Sequence, residues 1–142
     1  MDKFYIGQEI TEEKVFFKED IEKFAEISGD KNPLHVNEEY AKKSRFGGII
    51  VHGVLVMGLI SKMIGTRLPG EGSVYMEQNV QFRKPVYVGE KIIAKVKIID
   101  MDVNRKIISL KTDVFDEAGH CVIRGNAKIL LESCISEQSR KD

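Results

Sequence analysis

The chain holds 142 residues, the size of a single domain. At 42% hydrophobic and 31% charged it has the profile of a folded globular protein, which excludes a disordered one. Lys plus Arg number 22 and Asp plus Glu number 22, so there is no net basic character of the kind a general nucleic-acid binder relies on.

In chain order, the opening MDKFYIGQEI has no apolar leader segment. The two cysteines, Cys121 and Cys134, lie at no metal-binding spacing, so reduced thiols and a cytoplasmic location are expected. Over Glu19–Ser28, Ile21, Phe24, Ala25 and Ile27 fall close to one stripe among Glu and Lys, which predicts an amphipathic helix ended by Ser28–Gly29. Asn37 is a fitting N-cap for a short helix through Lys43 with two glutamates in its first turn, and Gly47–Gly48 marks a loop. From Gly53 to about Thr66 nearly every helical direction is apolar, which predicts a helix surrounded by the rest of the chain. The apolar stretch from Gly47 to Ser61 falls short of the roughly 20 residues that span a bilayer, so no membrane association is expected. Leu68–Pro69–Gly70 supplies the turn that stops the helix.

The second half alternates with a period of two. Val74, Met76, Gln78, Val80 and Phe82 share one side of a predicted strand. The pattern repeats over Ile92–Ile98, Ile108–Val114 and Cys121–Leu131, with turn chemistry at Val88–Glu90, Asp102–Asn104 and Asp116–Gly119. Four successive strands predict an antiparallel meander. The expected class is α+β, one domain over residues 1–132 in which the sheet wraps the apolar helix, with a frayed tail over 133–142. The alternative is a layered fold with the helix packed on one face. Exposed sheet edges make a symmetric dimer a natural solution.

Two stretches carry candidate chemistry. In Ser28-Gly29-Asp30-Lys31-Asn32-Pro33-Leu34-His35, a carboxylate, an amide and an imidazole fall within six residues of a loop stiffened by Pro33. A carboxylate and a neutral imidazole so placed can hold a water and move its protons. The competing reading makes Asp30 and Asn32 ordinary turn and cap residues. In Phe46-Gly47-Gly48-Ile49-Ile50-Val51-His52-Gly53 a loop runs straight into the apolar helix. The unpaired N–H groups at that helix start, with Gly53 allowing close approach, suit an oxygen that becomes negative. The competing reading leaves Gly53 as a cap and His52 as a core residue.

These residues resemble the MaoC-like dehydratases. SGDKNPLH resembles the hydratase-2 motif, FGGIIVHG the segment that follows it, and LPGEGSVY with QFRKPVYVGE the later signature of the short (R)-specific enoyl-CoA hydratases. The resemblance runs from about Gly7 to Leu131, with Glu90 where many members carry Asp. It implies the hot-dog fold, a homodimer with its sites near the interface, and reversible addition of water to a trans-2-enoyl-CoA to give the (R)-3-hydroxyacyl-CoA. It implies that Asp30 and His35 are the catalytic pair, that Asn32 positions the water or hydroxyl, and that the Gly53 N–H meets the thioester carbonyl oxygen. Ser61 is a candidate support for the active-site loop, against simple bonding back to its own helix. Arg83 and Lys84 are candidates for CoA phosphates, against a plain solvated strand end. Asp30, His35 and His52 could be drawn as a facial triad, but the chemistry needs no Lewis acid, so neither metal nor cofactor is expected. The alternatives are a 3-hydroxyacyl-acyl-carrier-protein dehydratase, a hot-dog thioesterase and a non-catalytic thioester-binding module.

Overall fold

Ile92, Ala94, Val96 and Ile98 lie fully buried on one face of a single strand, and the rest of the chain is arranged around that face. A computed structural model describes residues 1–131, so Cys134 and the tail over 133–142 lie outside the described residues. The elements are β1 (Glu9–Val15), α1 (Lys18–Ser28), α2 (Pro33–Val36), α3 (Glu38–Lys43), α4 (Gly53–Thr66), β2 (Ser73–Phe82), β3 (Lys91–Asp102), β4 (Ile107–Asp116) and β5 (Cys121–Leu131). The strands form one antiparallel sheet in the order β1-β3-β4-β5-β2.

Helix α4 packs on the sheet through Val56, Leu59, Ile60, Met63 and Ile64, which join Ile92, Ile98, Ile108, Leu110 and Ile129 in one core. Truncating any of the large ones should cost about 2–5 kcal/mol. The central helix on a curled antiparallel sheet is the hot-dog arrangement. No helix among the described residues is long and apolar enough to cross a membrane.

Three expectations change. The sheet has a fifth strand, β1, that its residues disguise. Its inward side carries Ile10 and Glu12, and Glu12 is held by Lys62 at 2.9 Å, so a charged residue stands where the alternating pattern would show an apolar one. The meander covers only β3-β4-β5, because β2 pairs with β5 at the far edge. A bulge between Tyr75 and Glu77 breaks the alternation of β2 at the exposed Met76; beyond it Gln78 and Val80 are half-buried, and Phe82 at the strand end is exposed. Finally, α4 is not enclosed on every side by its own chain, since Val54, Gly58, Ser61 and Gly65 form an exposed stripe.

The crossover from β2 to β3 positions the site. The segment after Phe82 is pinned to β5 by Arg83 N–H and Lys84 N–H donating to the Val122 carbonyl. It then runs beside the loop leading to α4, where Val51 N–H donates to Val86 O at 2.7 Å and the Tyr87 hydroxyl to Phe46 O at 2.8 Å.

Candidate active site

The loop bearing Asp30 and His35 is a chain of local hydrogen bonds. Helix α1 stops at Gly29, whose φ of 79° is the left-handed conformation glycine adopts freely, with its N–H on Ala25 O at 2.9 Å. Ser28 Oγ donates to Phe24 O and accepts the Asp30 N–H at 3.0 Å. Asp30 Oδ1 accepts the Asn32 N–H at 3.3 Å, and Asn32 Oδ1 accepts the Leu34 N–H at 3.1 Å. Asn32 is therefore the N-cap of α2, a single helical turn begun by Pro33 where the sequence predicts a loop. Its oxygen is committed to that cap, and its amide NH2 remains as a donor.

The turn aims His35 at the loop before α4. His35 Nδ1 lies 2.7 Å from Ile50 O, and Ile50 N–H returns a bond to Leu34 O at 3.3 Å. A carbonyl only accepts, so Nδ1 carries the proton and neutral His35 presents a lone pair on Nε2. His52 lies at the N-cap of α4, 1% exposed, with its ring stacked on His35 at 3.9 Å and 28° and tilted against Phe24 at 4.7 Å. Its Nε2 donates to the Asp30 carbonyl at 3.0 Å, while Nδ1 is buried without a partner. Burial lowers the His52 pKa and the neighbouring His35 adds to this, against the raising effect of the Asp30 carbonyl and carboxylate.

Asp30, His35 and His52 each offer an atom within 4.8 Å of the others. The set does not suit a metal ion. Two rings stacked nearly parallel direct their lone pairs side by side, not onto one point about 2 Å from both.

A cavity of about 380 Å³ opens beside His35, walled by Gly53, Val54, Phe82, Arg83 and Val122. A second, of about 370 Å³, lies between His35, Val36, Gly47, Gly48 and Val88. His35 lines both. As the first residue of α4, Gly53 has an N–H with no acceptor within the helix, and the residue lines the cavity that His35 lines. A Cβ on Gly53 would meet the Phe82 ring at 2.6 Å. Arg45 and Lys84 complete the cationic rim, although Lys84 is paired with Asp116 at 2.7 Å.

The structure thus sets Asp30 beside His35 and His35 beside Gly53 on one cavity, while Asn32 is joined to Asp30 through its N–H and neither Asp30 nor Asn32 lines the cavity itself. Ser61 is not brought there. It lies eight residues into α4, about 12 Å along the axis from Gly53, on the exposed stripe, and its hydroxyl bonds to none of the described residues. The loop-supporting hydrogen bond considered for it is not formed. His52 is the residue whose placement the sequence understated. Its signal was the His-Gly pair directly before the apolar helix.

The fold and site together define a hot-dog protein with a carboxylate and two imidazoles gathered beside the start of its central helix. The chain belongs to the family of the MaoC like domain, which it matches over residues 3–118. It is 38% identical over 125 residues to an (R)-specific enoyl-CoA hydratase of Rhodospirillum rubrum, covering 88% of this chain and 86% of that one. It is 37% identical over 129 residues to a mitochondrial 3-hydroxyacyl-[acyl-carrier-protein] dehydratase of Arabidopsis thaliana, covering 89% and 76%. The solved (R)-hydratase of Aeromonas caviae involved in PHA biosynthesis superposes with a TM-score of 0.89 at 34% identity, covering 92% of this chain and 99% of that one.

Proposed function

We propose that this protein is an (R)-specific enoyl-CoA hydratase, adding water reversibly to trans-2-enoyl-CoA thioesters, with Asp30 and His35 as its catalytic pair. The observation that carries this reading is the shared cavity: His35, its Nδ1 tied to Ile50, lines the same space as Gly53 at the start of α4, and Asp30 offers a carboxylate oxygen within 4.8 Å of a His35 ring nitrogen.

The chemistry follows from that geometry. The β-carbon of an enoyl thioester becomes electrophilic when its carbonyl oxygen takes up charge, and the Gly53 N–H at the positive end of α4 meets that oxygen. Water between Asp30 and His35 gives a proton to the pair as its oxygen bonds the β-carbon. The alkene electrons pass to the thioester as an enolate. The pair returns a proton to the α-carbon and the carbonyl reforms, so H and OH have been added and nothing is oxidised. Asn32, through its free amide, orients the water.

The substrate is an acyl-CoA, whose phosphates suit Arg45 and Arg83 in the cavity lining, neither in an ion pair among the described residues. The working unit is a homodimer. Edge strand β2 exposes Val74, Tyr75 and Met76, and Asp30 and Asn32 stand open to solvent until a second copy covers them. The reading places the enzyme in the cytoplasm, where a free thiol such as Cys121 stays reduced.

The test is loss of the conjugated enoyl absorbance of crotonyl-CoA, with an (R)-selective dehydrogenase reading the product, beside the same acyl group on a carrier protein. Rapid loss of crotonyl-CoA with (R) product is expected. Turnover of the carrier-bound thioester alone would make the protein a 3-hydroxyacyl-carrier-protein dehydratase. Turnover of neither, with longer chains included, would contradict both.

A further inference from the structure

We propose that His52 is a positioning residue: its Nε2–H ties the backbone of Asp30 to the start of α4, and its ring is the surface against which His35 is held. The inference rests on the catalytic reading of Asp30 and His35.

If His52 only filled space, an apolar ring would fill it better. The side chain is 1% exposed, and Nδ1 is buried with no partner, an unfavourable arrangement for any polar atom. What the imidazole gains over an apolar ring is one bond, from Nε2 to Asp30 O at 3.0 Å across 22 residues of chain. That bond joins the loop carrying Asp30 to the helix start carrying Gly53. The stack at 3.9 Å fixes the plane of His35, while the Ile50 carbonyl fixes its rotation. Base, carboxylate and oxyanion donor are thereby placed relative to one another by one side chain.

The same packing disfavours the charged form of His52. The groups facing it are Phe24 from α1, His35 from α2 and Asp30 from the loop between them. A second proton would put an N–H on Nδ1 with no acceptor and a charge against His35. His52 therefore does not compete for the proton that His35 handles.

The test compares wild type, His52→Phe and His52→Gln in hydration of crotonyl-CoA, with Asp30→Asn alongside. His52→Phe keeps the ring and loses the donor, and His52→Gln keeps a donor and loses the ring. For His52→Phe we expect kcat to fall roughly 10- to 100-fold with KM within about 3-fold and melting temperature retained. His52→Gln should recover part of kcat. A His52→Phe enzyme within about 2-fold of wild-type kcat would overturn the inference, even if Asp30→Asn is inactive. An inactive wild type would instead defeat the catalytic reading. If neither variant folds, nitrogen-15 NMR of the wild-type histidines decides. The Nε2–H tautomer of His52 beside the Nδ1–H tautomer of His35 supports the tie, and an Nδ1–H tautomer of His52 overturns it.

Discussion

At Gly53 a single hydrogen atom in place of a side chain decides whether the proposed oxyanion donor and the Phe82 wall of the cavity coexist. A methyl there would lie 2.6 and 2.7 Å from the Phe82 ring, so the ring must move within the cavity it walls. Gly53→Ala should lower kcat/KM by roughly 10-fold or more. Adding Phe82→Leu should restore part of it by giving the methyl room, and steady-state kinetics of the two variants checks this. His52 makes a second prediction at this scale. Its pKa in the fold lies below the ordinary 6.5, so on acidification the unfolded chain takes a proton there that the folded chain refuses. Its contribution to stability is therefore complete above that ordinary value and is lost as pH falls through the lowered one. Melting temperature should fall in the first pH steps below 6.5, and His52→Phe should flatten that slope.

Among the elements, the two short helices offer a matched pair. Asn32 caps α2 through Leu34 N–H, and Asn37 caps α3 through Tyr40 N–H at 3.0 Å. Removing either side chain should cost about 1 kcal/mol of stability. Asn37→Ala should leave kcat unchanged while Asn32→Ala lowers it, and an equal effect of both on kcat would reduce Asn32 to a cap. The end of β4 carries a different coupling. Asp116, nearly buried, accepts Lys84 at 2.7 Å and His120 N–H at 2.9 Å, and these bonds hold its carboxyl well below the usual carboxylate range. That stabilisation is present above the usual range and is lost as pH falls below that range into strong acid.

How much of this was legible depended on where the side chains point. Helix α4 and strands β3 to β5 showed plainly because their inward faces are mostly Ile, Val, Leu and Ala, with few polar residues such as Thr112 among them. Strand β1 hid behind Glu12, and the place of β2 at the far edge is a matter of pairing that no local pattern records. The closeness of Asp30 to His35 was legible because both fall within one short motif. The stacking of His52 on His35 joins positions 17 residues apart and exists only once both loops are folded.

For the whole molecule, the exposed apolar residues on edge strand β2 and the open approach to Asp30 point the same way. Sedimentation should give twice the 16.1 kDa mass of one chain. Met76→Lys, placing charge on that edge, should shift the population toward monomer and lower activity with it. A fully active monomer would show that each chain holds a complete site. The central claim is that Asp30 and His35 move the protons of hydration. It is tested most directly by comparing wild type with Asp30→Asn on crotonyl-CoA at matched concentration, with melting curves for both. The account predicts that the variant melts as a folded protein and loses roughly 10²-fold or more of kcat. A folded Asp30→Asn enzyme that hydrates crotonyl-CoA at the wild-type rate would contradict it.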